Sequence, residues 1–138
     1  MSRRDLFHEA VRNALIKEGW DITHDPYILK FGEQKLQVDL GAEMPLAAER
    51  EGRKIAVEIK SFIRESSVTD LYVAIGQYAV YRRLLNQQEA ERILYLAIPN
   101  DAFEEVFDPA HGRDIREALD IRLIVYEAEE EVIVRWIG

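Results

Sequence analysis

The chain has no cysteine, so disulfides and thiolate zinc sites are excluded. Its three histidines, His8, His24 and His111, stand far apart, which argues against a histidine-only metal site. No apolar run approaches the ~20 residues that a membrane-spanning helix needs. Behind Arg3 and Arg4 there is no apolar stretch of the kind that makes a signal peptide. A cytoplasmic protein without membrane association is therefore expected. Positive charge is also scarce: 18 Lys and Arg against 26 Asp and Glu leave a net charge of −8. That deficit argues against free, non-specific binding to DNA, because neutralising phosphates supplies most of such affinity. It does not exclude a nuclease, whose working carboxylates are acidic in any case, but it requires a partner or an oligomer to add grip.

What is present is an ordinary globular balance, with 48% apolar and 32% charged residues. A length of 138 residues predicts one domain over residues 1–138, large enough to bury a core without a structural metal. There is no repeat, linker or low-complexity segment. Residues 2–18 read as a helix. Ser2 and Asp5 resemble a capping box, Gly19 is placed to end the helix, and Phe7, Val11 and Leu15 form its apolar stripe. Residues 20–31 read as extended, and Gly32 turns into a strand over 36–40. The stretch from Gly41 to Gly52, with Pro45 near its start, reads as a connection, and a strand follows over 54–61. The longest helical pattern runs from Ser66 to Gln88 and is apolar on more than one side, which predicts a sandwiched helix. Residues 92–98 read as a buried strand, 100–107 and 111–119 as short helices separated by Asp108–Pro109, and 121–127 with 131–137 as a terminal hairpin. This order predicts an α/β fold, a central mixed β-sheet flanked by α-helices.

The most informative pattern lies in the first two sheet segments. Leu36, Val38 and Leu40 alternate with Lys35, Gln37 and Asp39, while Ile55, Val57 and Ile59 alternate with Lys54, Ala56, Glu58 and Lys60. A period of two puts Glu58 and Lys60 on one face, ~7 Å apart along the strand. If the two strands are neighbours, Asp39 meets them there. Two carboxylates and an amine on one patch suit metal-assisted phosphodiester hydrolysis. Mg²⁺ (or Mn²⁺) takes oxygen ligands, needs only one or two carboxylates and keeps several waters. It lowers the pKa of a water and offsets charge on phosphorus, and a lysine can orient that water. The Glu-x-Lys tripeptide alone is uninformative, since Glu33-Gln34-Lys35 repeats it without an acidic strand partner upstream. Gln77 falls in a mostly apolar helix, where a buried amide needs a hydrogen-bond partner; it also reads as an amide at the solvent edge. Tyr81 reads as core, with its hydroxyl reaching the rim of the site. Glu9 reads from the residues alone as a surface charge.

The run Val38-Asp39-Leu40, then Ile55-Ala56-Val57-Glu58-Ile59-Lys60-Ser61-Phe62, then Gln77-Tyr78-Ala79-Val80-Tyr81, resembles the restriction-endonuclease-like superfamily of PD-(D/E)XK nucleases. Val38 stands where a proline often precedes the first acidic residue. More closely, Arg4-Asp5-Leu6-Phe7-His8-Glu9, Ala47-Ala48-Glu49-Arg50 and Val57–Phe62 resemble the XisH family of excision controlling factors. The resemblance implies a restriction-endonuclease-like fold, with Asp39, Glu58 and the Ile59 carbonyl holding Mg²⁺. Lys60 would position the water, and Glu9 and Gln77 would support the site from two helices. It also implies a role in site-specific DNA excision beside a separate recombinase and a companion factor, XisI. Three functions then stand side by side. One is a Mg²⁺-dependent DNA endonuclease-like factor. The second is a non-catalytic recombination accessory on the same fold. The third is the nuclease half of a two-component defence pair. A homodimer is the default for a small acidic domain of this kind. DNA contacts would fall to Arg3, Arg4 and Arg12, to Arg50 and Arg53, and to Arg82 and Arg83.

Overall fold

The computed structural model describes residues 3–44, 52–61 and 67–138. The expected Ser2–Asp5 cap, the Pro45–Arg50 stretch, Phe62 and the side chains of Arg3 and Arg4 lie outside the described residues. The chain opens with helix α1 (Arg3–Lys17). Ala10, Val11, Ala14 and Leu15 bury its inner stripe, and Gly19, at φ +94°, takes the left-handed turn that ends it. Four short strands follow: β1 (Asp21–His24), β2 (Tyr27–Phe31), β3 (Gln34–Val38) and β4 (Leu40–Met44). Then come β5 (Arg53–Ile59), the long helix α2 (Ser67–Gln88) and β6 (Arg92–Pro99). Beyond Pro99 a helical turn, α3 (Asn100–Ala102), runs into a π-helical turn at Phe103–Phe107. Helix α4 (Ala110–Ala118) and the hairpin of β7 (Leu123–Glu127) and β8 (Val132–Ile137) complete the order.

The main sheet has six strands in the order β1-β4-β5-β6-β7-β8. β5, β6 and β7 run parallel, while β1, β4 and β8 pair antiparallel with their neighbours. The parallel strands are joined through helices, as crossover connections require. Alternation divides their side chains between two cores. Leu40, Ala42, Ile55, Val57, Tyr95, Ala97, Ile124 and Tyr126 pack with Val11 and Leu15 of α1. Ala56, Leu94, Leu96, Ile98, Leu123 and Val125 pack with Ala74, Tyr78, Tyr81 and Leu85 of α2 on the other face. This is the expected α/β arrangement, a mixed central sheet flanked by helices.

Three expectations are corrected. The strand over 36–40 is two strands in different sheets, with Asp39 at the bend between them. β3 pairs only with β2 in a separate ribbon that turns at Gly32, φ +59°. The supposed connection after Gly41 continues as β4 to Met44, in register with both β1 and β5. Its small residues are the reason: a Cβ on Gly41 would meet the His24 side chain at 3.0 Å. Finally, α2 is packed on one side only; among the described residues Val68, Tyr72, Val73 and Val80 stay exposed. Among the described residues no helix is long and apolar enough to cross a membrane.

Candidate functional site

β4 and β5 pair with Leu40 opposite Val57, so the next step outward sets Asp39 beside Glu58. There the ladder changes character. The Ile59 N–H donates to Asp39 Oδ2 at 2.8 Å, and the Asp39 N–H lies 3.4 Å from Glu58 Oε1. A carboxylate, not a backbone carbonyl, satisfies the edge of β5, which is why β4 cannot run on into β3. Lys60 extends the same face: its Nζ lies 3.8 Å from Glu58 Oε2. Its backbone N–H is tied to the Ala97 carbonyl at 2.9 Å, which fixes the end of β5 against β6. Asp39, Glu58 and Lys60 therefore share one patch at the carboxyl end of the parallel strands, the place where open α/β sheets carry their ligands.

Burial decides the electrostatics. The Glu58 side chain is 8% exposed and that of Lys60 28%. Desolvation, followed by the charge and hydrogen bonding of Asp39, pushes Glu58 from 4.5 to about 8, with the Lys60 ammonium opposing the rise. At neutral pH Glu58 therefore keeps its proton. Three more polar side chains lie toward this end of the sheet. Gln77 donates from Nε2 to the Tyr81 hydroxyl at 3.0 Å, which leaves the Tyr81 proton free to point elsewhere. Burial, and the charges of Glu58 and Asp39, push the Tyr81 hydroxyl up. From the α1 face, Tyr126 is pushed up by burial and by the charges of Asp101 and Asp39. Gln77 Oε1 and Tyr126 Oη are both buried without a hydrogen-bond partner among the described residues. Orphaned buried polar atoms are rare in native folds and call for a cause.

The other expected residues are placed as follows. Gln77 joins the cluster through Tyr81. The Ile59 carbonyl leaves its strand on the same edge as the N–H that reaches Asp39. Glu9 is not brought in: it is exposed on α1. At about 3.6 residues per turn it falls roughly opposite the Val11–Leu15 stripe that faces the sheet. Among the described residues no group of three or more His, Asp or Glu converges, so the cluster offers two carboxylates. Tyr126 was not visible in the sequence as a site residue, because Val-Tyr at the end of an apolar strand reads as core. Its position at the carboxyl end of a parallel strand is the signal that could have found it.

The residues fit a hard divalent cation. Two adjacent carboxylates that cannot both ionise alone are what a cation would neutralise, and two carboxylates suffice for Mg²⁺ with its waters.

Comparison with known proteins extends the picture. The family model described as XisH protein matches residues 1–134. A crystal structure of an XisH family protein from Nostoc punctiforme PCC 73102 is 38% identical, with a TM-score of 0.85, covering 97% of this chain and 100% of that one. A crystal structure of an fdxN element excision controlling factor protein from Anabaena variabilis is 39% identical, with a TM-score of 0.86, covering 98% and 100%. No curated protein matches the chain.

Proposed function

The chain belongs to the XisH family, and on that footing we propose that it is a DNA excision controlling factor with a Mg²⁺-dependent, endonuclease-like site. The observation that carries this is the Asp39–Glu58 pair: two carboxylates held side by side, one of them forced to about 8 by the other and by burial. The fold reading is the restriction-endonuclease-like one, supported by a glutamate and a lysine on the end of a central strand with an acidic bend beside them. Asp39, Glu58 and the Ile59 carbonyl would hold Mg²⁺ or Mn²⁺. When bound, the ion supplies Lewis acidity toward a phosphate oxygen and a more acidic water. Lys60, the more exposed of the paired groups, orients the attacking water. Gln77 fixes the Tyr81 hydroxyl at the rim. The same reading carries DNA, the companion factor XisI and a site-specific recombinase as partners, and a homodimer as the working unit.

The test is nicking of supercoiled DNA in Mg²⁺ by the parent, Asp39→Ala and Lys60→Ala, with and without the companion factor. Loss of activity by about 100-fold or more in both variants is expected. Equal nicking by all three would remove the site from the chemistry. A second reading, a non-catalytic recombination accessory, is favoured by one observation. With a net charge of −8, two of the expected DNA contacts are already engaged: Arg12 Nε lies 3.4 Å from Asp25, and Arg53 stacks on Trp20 and Trp136. No nicking by the parent, together with partner-dependent stimulation of recombination, would select that reading.

A further inference from the structure

Far from the carboxylates, at the amino ends of β6 and β7, a groove of about 410 Å³ opens beneath the second half of α2. Its walls include Arg82, Arg83, Arg92 and Arg122 and contain no acidic residue. In a chain of net charge −8 this is a local reversal of sign. The four guanidinium groups are not equivalent. Arg92 is buried and already engaged: Nε meets Glu89 at 2.7 Å, Nη1 the Ile55 carbonyl at 2.9 Å and Nη2 Glu43 at 3.4 Å. Arg82 is anchored through Nη1 to the carbonyls of Leu119 and Asp120 at 3.0 and 2.8 Å, with its Cζ 5.1 Å from the Tyr78 ring centre. It holds the end of α4 and keeps its remaining donors in place. Arg83 and Arg122 make no ion pair among the described residues. Asn86 adds an amide, and Leu85, Ile93 and Leu94 an apolar floor. Guanidinium forks with an amide, set over an apolar floor, match phosphate oxygens attached to a sugar or base.

We infer that this groove binds the phosphate backbone of a nucleic-acid strand, through Arg83 and Arg122 with Arg82 as a fixed third donor. An open groove admits a continuing chain as well as a closed small molecule. The choice of nucleic acid rests on the proposed DNA role; the groove itself lies apart from Asp39 and Glu58, so the two can fail separately. The groove would give an acidic protein its grip without placing more positive charge beside the carboxylates.

The experiment is fluorescence anisotropy of labelled single-stranded and duplex DNA at low salt in EDTA, which takes divalent cations out of the measurement. The proteins compared are the parent, Arg83→Ala/Arg122→Ala, Arg83→Lys/Arg122→Lys and Asp39→Asn. Thermal melts confirm folding, and Arg82 is left intact because it anchors α4. The parent should bind, and the double Ala variant should bind about tenfold more weakly, with its salt slope smaller by about 2. The Lys pair should recover most of the loss, and Asp39→Asn should bind like the parent. Inorganic phosphate should compete. The inference is overturned if the parent does not bind DNA, if the double Ala variant binds as the parent does, or if phosphate binds the groove and DNA does not. Loss of binding in Asp39→Asn alone would put the DNA contact at the carboxylates and overturn it as well. Nicking lost in Lys60→Ala while anisotropy is kept would leave this groove standing whatever becomes of the metal site.

Discussion

Replacing Glu58 by Gln should stabilise the protein, and by an amount set by pH. In the fold this carboxyl is raised from 4.5 to about 8 by burial and by Asp39. A raised acid has the reverse sign of the usual ion-paired carboxylate. Below about pH 4.5 folded and unfolded chains both carry the proton, and nothing is lost. Between pH 4.5 and about 8 the unfolded chain ionises while the folded one does not, so stability falls as pH rises, by about 1.4 kcal/mol per pH unit. Above pH 8 the penalty is constant. Over this window it amounts to about 3 kcal/mol by pH 7 and about 5 kcal/mol beyond pH 8. Glutamine keeps the shape and a hydrogen-bonding amide but removes the ionisation. Urea denaturation in EDTA at several pH values reads the difference directly. At pH 5 the variant and parent should nearly coincide. At pH 7 the variant's midpoint should lie higher by roughly 1.5 M, for a slope of ~2 kcal/mol per M. A gap that does not change with pH, or a parent whose stability is flat from pH 5 to 8, would refute the reasoning.

Cation binding should compete with the same proton. Calorimetry with Mg²⁺ or Mn²⁺ should show apparent affinity rising up to about tenfold per pH unit below pH 8, with close to one proton released at pH 7 and no heat in Asp39→Ala. Equal heats for parent and variant would remove the carboxylates from the ion's coordination. Arg92→Met should cost about 3–5 kcal/mol in denaturant unfolding, because it strands Glu89 and Glu43; a neutral substitution would contradict the network drawn here. Glu89, held down to about 2 first by its hydrogen bond from Arg92, contributes stability that is present above about pH 4.5 and lost as pH falls toward 2. That acid-side loss should shrink in Arg92→Met, where the Tyr27 hydroxyl and Lys54 still favour the Glu89 carboxylate.

The helices and the parallel strands were legible in the sequence because their signals are long. Val11 and Leu15 mark a stripe, Gly19 ends it, and Arg92–Pro99 is an apolar run closed by proline. That Glu58 and Lys60 share a face of β5 was legible from its alternation, whereas Asp39 meets them through the bend between β3 and β4. What was not legible is the bend at Asp39. Local pattern continues smoothly from Leu36 to Leu40, and only the tertiary hydrogen bond from Ile59 to Asp39 divides the two strands. β4 escaped because Leu-Gly-Ala-Glu-Met lacks β-branched and aromatic residues. It is a strand because β1 and β5 flank it closely, a demand that no residue within it announces. Glu9 was carried by family resemblance alone, and its place on the outer side of α1 was already implied by the Val11–Leu15 stripe. Arg122 was overlooked because it lies 39 positions from Arg83 in sequence, and only the sheet and α2 bring them to one groove.

Two buried charge systems in this fold point in opposite directions, and the contrast bears on function. Around Arg92 the books balance. One buried guanidinium reaches two carboxylates and the carbonyls of Ala42 and Ile55, lies 4.8 Å from the Tyr27 ring centre, and drives Glu89 far toward its ionised form. Each donor of the group that is described meets an acceptor, and such a network needs no ligand to explain it. Around Glu58 the opposite holds. A carboxylate is buried beside a second carboxylate, and the one cation that meets it among the described residues stands 3.8 Å away and is partly solvated. Packing alone would be served better by glutamine or leucine there, by several kcal/mol above pH 7. A fold that can satisfy Arg92 so fully does not leave Glu58 strained for want of alternatives. In the proposed reading, a small divalent cation bound there would displace the proton of Glu58 and neutralise both carboxylates. The same cation would do nothing for Arg92. That asymmetry, more than the Glu-x-Lys spelling, is the physical ground for assigning the chemistry to the Asp39 end of the sheet.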